Sequence, residues 1–553
     1  MHQYPELLRT ILEKRGIKTP AKAEIFLNPD YNRDFHNPFL MKDMEKACVK
    51  LFETIENREK IIIYADYDCD GIPGAVVLED LLKKIGYTNY EIYIPGRNSE
   101  GYGLNLSAIK EFAKKGVKLL VTVDLGITAV SEIAQAEVDG IDVIITDHHL
   151  PHDILPRAYA ILNPKTDDYP EKILCGAGVV FKLVQGFVKK YGEFYKINTG
   201  WEKWLLDMAG LATLSDLVPL TGENRAIAYF GIKVLRKSPR PGLQKLLAKM
   251  NIEQKYLTED DIGFMITPRL NAASRMDDPM RAYELLSTND EVKAGTITDH
   301  LSKINDDRKT MVAGIMREVH KKFEKSPMRE KKDVVVIGNP KWRVGVLGLV
   351  AGKISDEYKK TVFVWGKDEN DLIKGSCRSE GSVSVVELMA ETSEFFMEFG
   401  GHEFAGGFTV HNDKIHFLEE ALSFSFDKVR RNRMEDKIIY DIKSDLGAVN
   451  MKNWREIEKM APFGLANPKP IFLFENVKIE DIKKFGKNGP GEHLEITFSD
   501  TGKGKVKAIS FFSNSESFEK PIAENINADL LATFELSRFR GKVELRLRVE
   551  DIV

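Results

Sequence analysis

Apolar runs that resemble strands alternate with helical patterns through the first third of the chain. The strand-like runs are IIIYAD, NYEIYIP, KLLVTVD and DVIITD, and the helical patterns between them are AVVLEDLLKKIG, LSAIKEFAKKG and AVSEIAQAEVDG. This alternation is typical of a parallel α/β sheet covered by helices. In such sheets functional groups gather at the carboxyl ends of the strands, where the loops open into a crevice.

The rest of the chain predicts three further kinds of structure. Residues 289–325 carry a helical pattern without proline and with a basic end, which predicts a long connecting helix. A second α/β unit opens with DVVVIGNP and the Gly-rich helix start GVLGLVAGKIS. From about residue 437 the pattern changes to short strands and turns, which predicts a small all-β domain.

Three aspartates stand at alternate positions directly after the first strand, in DYDCDG: Asp66, Asp68 and Asp70. The opening matches the calcium loop of an EF-hand, but the twelfth position is Val77 instead of a bidentate Glu, and the loop follows a strand instead of a helix. For a single Asp, a helix cap is the alternative. Three carboxylates so close together repel one another unless a cation neutralises them, which favours metal binding.

Two more predicted strands end in aspartate. Asp124 closes LLVTVD, and Asp147 closes VIITD and is followed at once by His148 and His149. A helix N-cap is the alternative for Asp124, but convergence of such groups on one sheet edge favours a metal site. Asp216 lies in the apolar stretch GLATLSDLVPL, where an unpaired charge is costly. A cap at a helix end is its alternative.

The mixture of side chains indicates which metal. Carboxylates with one or two imidazoles suit Mn²⁺ or Mg²⁺, whereas a tetrahedral zinc site would usually bring thiolates or three histidines. Several bridging carboxylates also allow two ions about 3.5–4 Å apart, the arrangement that activates water in phosphoryl hydrolysis. We therefore predict two divalent metal ions, Mn²⁺ or Mg²⁺.

Composition sets wider limits. A chain of 553 residues predicts several domains, and its apolar and charged fractions are those of a globular protein. No signal peptide and no apolar stretch of the roughly 20 residues needed to span a bilayer is evident, so we expect a cytoplasmic protein without membrane contact. The four scattered cysteines predict reduced thiols. A net charge of −4 neither requires nor excludes a nucleic-acid partner.

The segments DYDCDG, TVDLG, TDHHLP and LSDLVPL, in this order, resemble the four motifs of the DHH phosphoesterase family. Downstream, PRLNAASRM, GNPKWRVGVLGLVAGKISDEY, GSCRS and FGGHEFAGGF are similar to elements shared by RecJ single-strand-specific exonucleases. The resemblance runs from about Ile61 to the C-terminus. It implies metal binding by Asp66, Asp68, Asp70, Asp124, His148 and Asp216. His149 matches the second family histidine, near the reacting phosphate, and Arg343 stands where relatives are expected to have histidine.

The same resemblance implies a fold and its divisions. We expect an α/β protein in which a parallel-sheet DHH domain is joined by a long helix to a second α/β domain, with a C-terminal all-β OB-fold domain. The expected divisions are an N-terminal helical segment (1–45), the DHH catalytic domain (46–235), a helical connector (236–330), the DHH-associated substrate-binding domain (331–432) and the OB-fold nucleic-acid-binding domain (437–553).

Candidate substrate contacts come from the downstream motifs: Arg269, Asn271, Arg275, Arg378, Ser379, Gly401 and His402. Arginine offers a bidentate fork to a phosphate, with a surface salt bridge as the alternative for each. The Gly-rich helix start could receive a phosphate on its amides, with tight packing as the alternative. In the all-β domain, aromatic and basic side chains could stack bases and hold phosphates, with core packing as the alternative for the aromatics: Phe485, Phe511, Phe512, Arg538 and Arg540.

The function implied is that of a metal-dependent exonuclease degrading single-stranded DNA from 5′ to 3′ to nucleoside 5′-monophosphates, in DNA repair and recombination. A monomer is expected, with a helicase and a single-strand-binding protein as partners that could feed it. One alternative is a DHH phosphodiesterase acting on short oligonucleotides or cyclic dinucleotides, which would not need the C-terminal barrel. Another is a non-catalytic DNA-binding replication scaffold, which would not need the intact acidic set.

Overall fold

The computed structural model describes most of the chain. The described residues are 1–97, 100–101, 103–326, 332–431, 440–486, 493–500, 504–518, 521–539 and 542–553. Arg540, proposed above as a phosphate contact, lies outside them, as do the expected domain limits at 330, 331, 432 and 437.

Four α-helices precede the first sheet: α1 (Glu6–Lys14), α2 (Pro20–Leu27), α3 (Tyr31–Asp34) and α4 (Met44–Glu56). The side chains of Thr19 and Asp30 cap α2 and α3 by accepting hydrogen bonds from backbone N–H groups of the first turn. Helix α4 packs on a later helix, Gly176–Tyr191, and on a strand, Ala160–Leu162, of the domain that follows.

The first sheet has five parallel strands in the order β2-β1-β3-β4-β5, which confirms the predicted parallel α/β unit. Its elements are β1 (Lys60–Ala65), α5 (Gly71–Lys84), β2 (Tyr90–Tyr93), α6 (Leu106–Lys114), β3 (Val117–Val123), α7 (Val130–Val138), β4 (Asp142–Thr146) and β5 (Ala160–Leu162). Strands β1, β3 and β4 are neighbours and almost wholly buried, so their carboxyl ends meet at one edge.

A helical layer follows the sheet: α8 (Gly176–Tyr191), α9 (Leu206–Ser215), α10 (Gly222–Leu235), α11 (Pro241–Lys249), α12 (Glu259–Asp261), α13 (Thr267–Met276), α14 (Met280–Ser287) and α15 (Glu291–Glu324). Helix α15 is 34 residues long, which confirms the predicted connecting helix. A short π-helical turn, Ile262–Ile266, joins α12 to α13. Such turns are rare and occur frequently at functional sites.

The second α/β unit is a mixed sheet in the order β6-β7-β8-β10-β9. Its elements are β6 (Val334–Gly338), α16 (Leu347–Tyr358), β7 (Thr361–Lys367), β8 (Ile373–Arg378), α17 (Val385–Ala390), β9 (Phe396–His402), β10 (Ala405–Val410) and α18 (Leu418–Val429). Only the β6–β7 pair is parallel, and β9 forms one edge of the sheet.

The C-terminal unit contains β11 (Ile442–Lys443), α19 (Met451–Glu458), β12 (Phe472–Phe485), β13 (His493–Ser499), β14 (Lys505–Phe511), β15 (Asn527–Phe539) and β16 (Lys542–Ile552). Strand β12 pairs with both β13 and β15, while β14 pairs with β13 and, in parallel, with β16. Since β15 pairs with β16, the ladder closes into a five-stranded barrel. The predicted all-β domain is confirmed.

Helices α1 and α2 pack against this barrel domain and not against the sheet that follows them in sequence. Their buried side chains, Leu8, Ile11, Leu12, Ala23 and Leu27, share one hydrophobic core with residues of α19 and the barrel strands. Later residues of the same N-terminal segment, beginning at Tyr31 and Phe35, belong to the core of the first domain. The first 45 residues therefore connect the core of the first domain with the core of the C-terminal barrel domain.

A buried arginine fastens this junction. Arg225 of α10 is only 4% exposed and lies over the Phe26 ring, with 4.0 Å from the guanidinium carbon to the ring centroid. Its guanidinium donates to the backbone carbonyls of Phe26, Met460, Ala461 and Pro462 at 2.9–3.3 Å. The planar guanidinium of an arginine can donate to several acceptors at once. This one side chain therefore joins the first domain to α2 and to the segment that leads into the barrel.

Among the described residues, no helix is both long enough and apolar enough to cross a membrane.

Candidate metal centre and substrate cleft

The carboxyl ends of neighbouring strands bring the predicted acids together. Asp66 follows β1 and Asp124 follows β3, and the backbone N–H of Asp66 donates to the carbonyl of Val123 at 3.1 Å. His148 follows β4 by two residues, and its Nε2 lies 3.1 Å from Oδ1 of Asp124. The same Nε2 lies 3.7 Å from Oδ2 of Asp70.

Three overlapping groups of side chains have ligand atoms within 4.8 Å of one another: Asp66, Asp68 and Asp124; Asp70, His148 and Asp216; and Asp124, His148 and His149. All seven predicted catalytic residues therefore lie in one cluster. Asp124 belongs to two of the groups, and so does His148. The shared members place the groups side by side, so the cluster has room for two neighbouring metal ions.

Burial gives these acids unusual protonation. Asp66, Asp70 and Asp124 are 2–4% exposed. Burial, and then the neighbouring carboxylates, raises the pKa of Asp66 and of Asp124 well above the usual range. The same two causes raise the pKa of Asp70 to about 7 and that of Asp216 to about 9. Without a cation, some of these aspartates therefore keep a proton, which reduces the repulsion between neighbouring carboxylates.

Donor atoms without hydrogen bonds show that divalent cations fit the site. Oδ1 of Asp66, Oδ1 of Asp124 and Nδ1 of His148 are buried and have no hydrogen-bond partner among the described residues. Burial lowers the pKa of His148 to about 3, which keeps the imidazole neutral, as a metal ligand must be. Carboxylate oxygens with a neutral imidazole suit Mn²⁺ or Mg²⁺.

Tight local packing fixes the first acids. A Cβ on Gly71 would lie 2.5 Å from the carbonyl oxygen of Asp66, so only glycine fits after DYDCD. Asp68 Oδ1 accepts hydrogen bonds from the N–H groups of Asp70 (2.8 Å) and Gly71 (3.2 Å), so Asp68 caps the turn as well as facing the cluster. The cap and the metal interpretation are therefore compatible for this residue.

The N-terminus of α8 holds Asp70. Its two carboxylate oxygens accept hydrogen bonds from the N–H groups of Gly176 (2.6 Å) and Ala177 (2.7 Å). A Cβ on Gly176 would lie 2.5 Å from the Cβ of Asp124, so the helix end packs directly on that acid. Free amides and the positive end of the helix stabilise the negative charge here. The sequence pattern did not identify Gly176 and Ala177 as residues that hold Asp70.

Asp147 has a different role from the other strand-end acids. Its Oδ2 accepts from the N–H of Ile127 at 2.9 Å, and its Oδ1 accepts from the N–H groups of His148 (2.7 Å) and His149 (3.0 Å) and from Nδ1 of His149 (2.8 Å). Burial alone would lower the pKa of His149, but this carboxylate raises it. Asp147 therefore orients the histidine pair and lies outside the three ligand groups.

A second support for the histidine pair comes from the loop after β5. Asn163 Nδ2 donates to the carbonyl of His149 at 3.0 Å, and the Lys165 ammonium donates to the carbonyl of His148. Sequence reasoning missed both residues. Their signal was available in principle, because NPK directly follows a fifth strand of the same sheet.

The second α/β unit reaches the metal cluster through an edge strand. The His402 ring stacks on the His149 ring, with centroids 6.2 Å apart and planes 13° apart. Gly401 precedes it at φ +145°, where a Cβ would lie 2.3 Å from the carbonyl oxygen of Ala405. The structure thus brings these two predicted residues beside the cluster.

Two of the predicted arginines lie close to further basic side chains, and Arg275 donates to the carbonyl of Gly345 in the second α/β unit at 3.2 Å. Burial, followed by the charges of Arg97 and Arg308, lowers the pKa of Arg275 to about 10. Burial also lowers the pKa of Arg378, and Arg97 again contributes. None of these arginines forms an ion pair with a carboxylate of the described residues, so the salt-bridge alternative fails for Arg275 and Arg378. Arg97 and Arg308 were missed by sequence reasoning.

The remaining predicted contacts occupy mixed positions. Arg269 donates to the carbonyl of Met265 at 2.7 Å, while Asn271 Oδ1 is buried without a hydrogen-bond partner among the described residues. The Ser379 hydroxyl accepts from the N–H of Gly381 at 3.1 Å and so supports its own turn. Arg343, at the position of the expected histidine, donates to the carbonyl of Met276 at 2.7 Å.

The surroundings of one glycine and the exposure of three phenylalanines decide between the interpretations offered for them above. A Cβ on Gly345, in the Gly-rich helix start, would lie 2.4 Å from the carbonyl oxygen of Arg275, so tight packing explains this glycine. In the barrel, Phe485, Phe511 and Phe512 are at least one-third exposed, so the core interpretation is wrong for these three aromatics.

We expect the chelated protein to lose stability as pH rises from about 4 to about 9. The folded state keeps protons on Asp70 and Asp216, whose raised pKa values are about 7 and about 9, while the unfolded chain releases them near pH 4. The unfolded state then binds fewer protons, so the free energy of unfolding falls with pH. Thermal melts in chelator across this range measure the effect.

The control for this pH dependence is Asp216→Asn, which removes one titrating group. Its melting temperature should exceed that of the parent chain by a margin that grows with pH. A constant margin would contradict a raised pKa for Asp216.

Three family models match the chain in order. The DHH family N-terminal domain matches residues 60–213, the DHHA1 domain matches residues 331–430, and the RecJ OB domain matches residues 440–551. The matches and the acid cluster define the class: a DHH-family enzyme with a DHHA1 domain and a C-terminal OB domain.

Curated relatives narrow the class. The single-stranded-DNA-specific exonuclease RecJ of Bacillus subtilis is 32% identical over 551 residues, covering 99% of this chain and 67% of the relative. The Haemophilus influenzae protein of the same name is 31% identical, with coverage of 93% and 91%. The chain belongs to the RecJ family.

Solved structures agree with the fold. The crystal structure of Thermus thermophilus RecJ in complex with Mn²⁺ superposes with a TM-score of 0.81 at 24% identity, covering 99% of this chain and 76% of that one. A crystal structure of exonuclease RecJ bound to manganese gives a TM-score of 0.62 at 27% identity, with coverage of 71% and 97%.

Proposed function

We propose that this chain is a metal-dependent exonuclease that degrades single-stranded DNA from its 5′ end and releases nucleoside 5′-monophosphates, in DNA repair and recombination. The observation that carries the proposal is the set of overlapping ligand groups in which Asp124 and His148 are shared. Membership of the RecJ family supplies the substrate class, since the relatives are named for single-stranded DNA.

Two metal sites follow from the ligand groups. Asp66, Asp68 and Asp124 would hold one ion, while Asp70, His148 and Asp216 would hold the other. Two divalent ions held there would supply a bound water of lowered pKa and would neutralise charge on the phosphate. The chain itself contributes a dry, preorganised edge, because α8, Asp147 and Asn163 hold the ligands in place.

His149 holds a proton beside the cluster. Its Nδ1–H donates to Asp147, whose charge raises the pKa of the imidazole. A protonated His149 would place positive charge next to the reacting phosphate, and its stacking on His402 would keep the second domain in register with the cluster. The leaving group would be the 3′ oxygen of the terminal nucleotide.

The part-buried Arg275 and Arg378 are proposed to hold the terminal phosphate. Arg275 and Arg378 each lie near Arg97, and such a cluster of like charges is costly without an anion. A narrow cleft between the two α/β units would admit one strand and exclude a duplex. This arrangement fixes the 5′ nucleotide over the metal centre, which accounts for a 5′ to 3′ direction.

One assay tests the function. Single strands labelled at the 5′ or at the 3′ end are incubated with the protein in Mn²⁺ or in chelator. Release of a labelled mononucleotide at once from the 5′-labelled strand, in Mn²⁺ only, is expected. Hydrolysis of dinucleotides alone would favour the small-substrate phosphodiesterase, and tight binding without hydrolysis the scaffold.

Arg378→Gln is expected to raise KM for 5′-phosphorylated strands by about 10-fold to 100-fold, because charged hydrogen bonds contribute roughly 1.5–3 kcal/mol. Strands with a 5′-hydroxyl should show a much smaller change. Steady-state kinetics on both substrates measure the difference, with Arg430→Gln, on the surface of the same domain, as the control. Equal changes on both substrates would remove Arg378 from the phosphate site.

We further infer that the chain acts as a monomer in the cytoplasm, supplied with single strands by a helicase and a single-strand-binding protein. The support is the RecJ resemblance alone. Sedimentation in the presence of each purified partner tests the associations.

A further inference from the structure

A part-buried lysine lies beside the metal cluster without belonging to any of the three ligand groups. Lys165 follows β5 in the segment NPK, and its ammonium donates to the backbone carbonyl of His148. An ammonium carries three N–H donors. Within the part of the chain that the structure describes, Lys165 makes no other hydrogen bond and no ion pair with a carboxylate. Its remaining donors are therefore available to a ligand.

Support of the histidine turn does not require a positive charge. The neighbouring Asn163 donates from its amide to the carbonyl of His149 at 3.0 Å, and so performs the same task with a neutral group. Partial burial of an ammonium is unfavourable, and burial lowers the pKa of Lys165. A cation that is kept here in spite of this cost indicates that the charge itself has a role.

The charge of Lys165 acts on the accessible side of the metal cluster. The side chains of Asp216 and His149 are 29% and 28% exposed. Those of Asp70 and Asp124 are only 2–3% exposed, so a ligand must approach past the first two. Burial and neighbouring carboxylates raise the pKa of Asp216 to about 9, and the charge of Lys165 opposes that rise. The ammonium therefore lies near the side from which a substrate would arrive.

The same side of the cluster faces the second α/β unit. His402, the last residue of β9, stacks on His149 with ring centroids 6.2 Å apart. Burial, followed by the charges of His149 and Lys165, lowers the pKa of His402. Lys165 is therefore close to groups from both α/β units where they meet at the cluster.

A cation at this position opposes metal binding unless an anion joins it. The ligand groups attract divalent cations, which the ammonium of Lys165 repels. A phosphodiester bound at the cluster would bring negative charge on its non-bridging oxygens. Lysine contacts such oxygens as a point charge with rotatable donors. A phosphodiester would therefore satisfy both the charge and the remaining donors of Lys165.

We propose that Lys165 is a further catalytic residue, which donates to a non-bridging oxygen of the scissile phosphodiester on the side of the cluster formed by Asp216 and His149. The inference rests on the proposed function, because it names a protein contact of the phosphate that is cleaved. The ammonium orients this phosphate and balances the charge that develops on it in the transition state. The role is separate from that of Arg275 and Arg378, which are assigned to the terminal phosphate.

The test uses a dinucleotide with a 5′-hydroxyl, whose only phosphate is the scissile linkage. Lys165→Met removes the charge and keeps a side chain of similar length. Its kcat/KM in Mn²⁺ should fall by about 10-fold to 100-fold, because hydrogen bonds from charged donors are among the strongest in proteins. A dinucleotide with a 5′-phosphate should show the same fall, since the lost contact lies on the phosphate that both substrates share.

Lys172→Met is the matched control. Lys172 lies in the same segment and also donates to a backbone carbonyl, that of Asp167, but it is exposed and lies outside the three ligand groups. The control should keep the parent kcat/KM on both dinucleotides.

Mn²⁺ affinity separates a phosphate contact from support of the histidine turn. Thermal melts across a Mn²⁺ titration measure it. Removal of a nearby cation should leave Mn²⁺ binding by Lys165→Met as tight as in the parent chain or tighter. A role confined to the His148 carbonyl predicts weaker binding, since His148 is a ligand candidate. Weaker Mn²⁺ binding, unchanged kcat/KM, or a loss limited to the 5′-phosphorylated dinucleotide would overturn the proposal.

Failure of the exonuclease function is a separate outcome. A parent chain that hydrolyses neither dinucleotide in Mn²⁺ would refute that function, and the intact 5′-hydroxyl dinucleotide would then report the contact through its affinity. Lys165→Met should bind this dinucleotide more weakly than the parent chain and Lys172→Met do. Equal affinities would exclude the contact between Lys165 and the phosphodiester.

Discussion

Replacing Asp124 with Asn is expected to lower kcat on single strands by at least about 10³-fold, equivalent to roughly 4 kcal/mol of transition-state stabilisation. Asp124 is a ligand candidate of the first proposed ion, and its Oδ1 lies 3.1 Å from Nε2 of His148, a ligand candidate of the second, so loss of its charge would disturb both metal sites. Affinity for the strand in chelator should stay almost unchanged, because the proposed strand contacts lie on other residues. Single-turnover hydrolysis and anisotropy measure the two effects.

Asn is a better replacement than Ala for a structural reason. Asp124 has φ +63°, a left-handed conformation that Asn tolerates and Ala does not. Its Cβ also packs on Gly176, and Asn keeps that contact. An inactive Asp124→Asn protein therefore reports on the lost carboxylate and not on a distorted turn.

Asp371→Asn is the matched control, because Asp371 has φ +62° and an exposed side chain far from the cluster. Mn²⁺ should raise the melting temperature of this control and of the parent chain, but much less that of Asp124→Asn. In chelator Asp124→Asn should melt at the same temperature or higher, since it removes one of several repelling carboxylates. Normal turnover by Asp124→Asn would exclude Asp124 from the metal site.

The sheet edge was predictable because its information is local. Apolar strands such as Ile61–Ile63 identify themselves, and neighbouring parallel strands must end at the same edge. That rule alone places Asp66 near Asp124. It cannot say which strand-end acid has its oxygens already engaged, so Asp147 could be separated from the ligands only by its hydrogen bonds.

The position of Asp216 at the metal cluster could not be predicted from the spacing of residues along the sequence. It does not follow a strand, and it reaches the cluster because α9 packs against α5 and α8. An acid in an apolar stretch raised the question, but only helix packing answers it. Arg97 and Arg308 were missed for the same reason: their approach to Arg275 depends on how a loop and the long α15 helix are placed in three dimensions.

The contact between the N-terminal helices and the C-terminal barrel domain could not be predicted from the sequence either. The apolar faces of α1 and α2 predict that something covers them, but no local pattern names the partner. The structure supplies it: the barrel domain at the opposite end of the chain. This placement gives residues 1–27 a structural role and changes what deletion of the barrel domain would do.

Deletion of residues 437–553 is expected to destabilise the chain more than deletion of residues 1–29 together with 437–553. Without the barrel domain, Leu8, Ile11, Leu12 and Leu27 lose the core in which they are now buried, and a fully buried aliphatic side chain contributes about 1.5–3 kcal/mol. The shorter chain, residues 30–436, has no such orphaned surface, since Tyr31 and Phe35 pack on the first domain.

Both deletions should retain dinucleotide hydrolysis if the metal centre is intact, and both should show a large rise in KM for long strands. The two chains are distinguished by aggregation and by limited proteolysis: rapid cleavage within residues 1–29 is expected in the longer chain only. Protection of that segment without the barrel would mean that α1 and α2 fold on another surface. Arg225 loses the carbonyls of Met460, Ala461 and Pro462 in both chains and that of Phe26 only in the shorter one, so the difference between the chains reports on the N-terminal helices together with this one hydrogen bond.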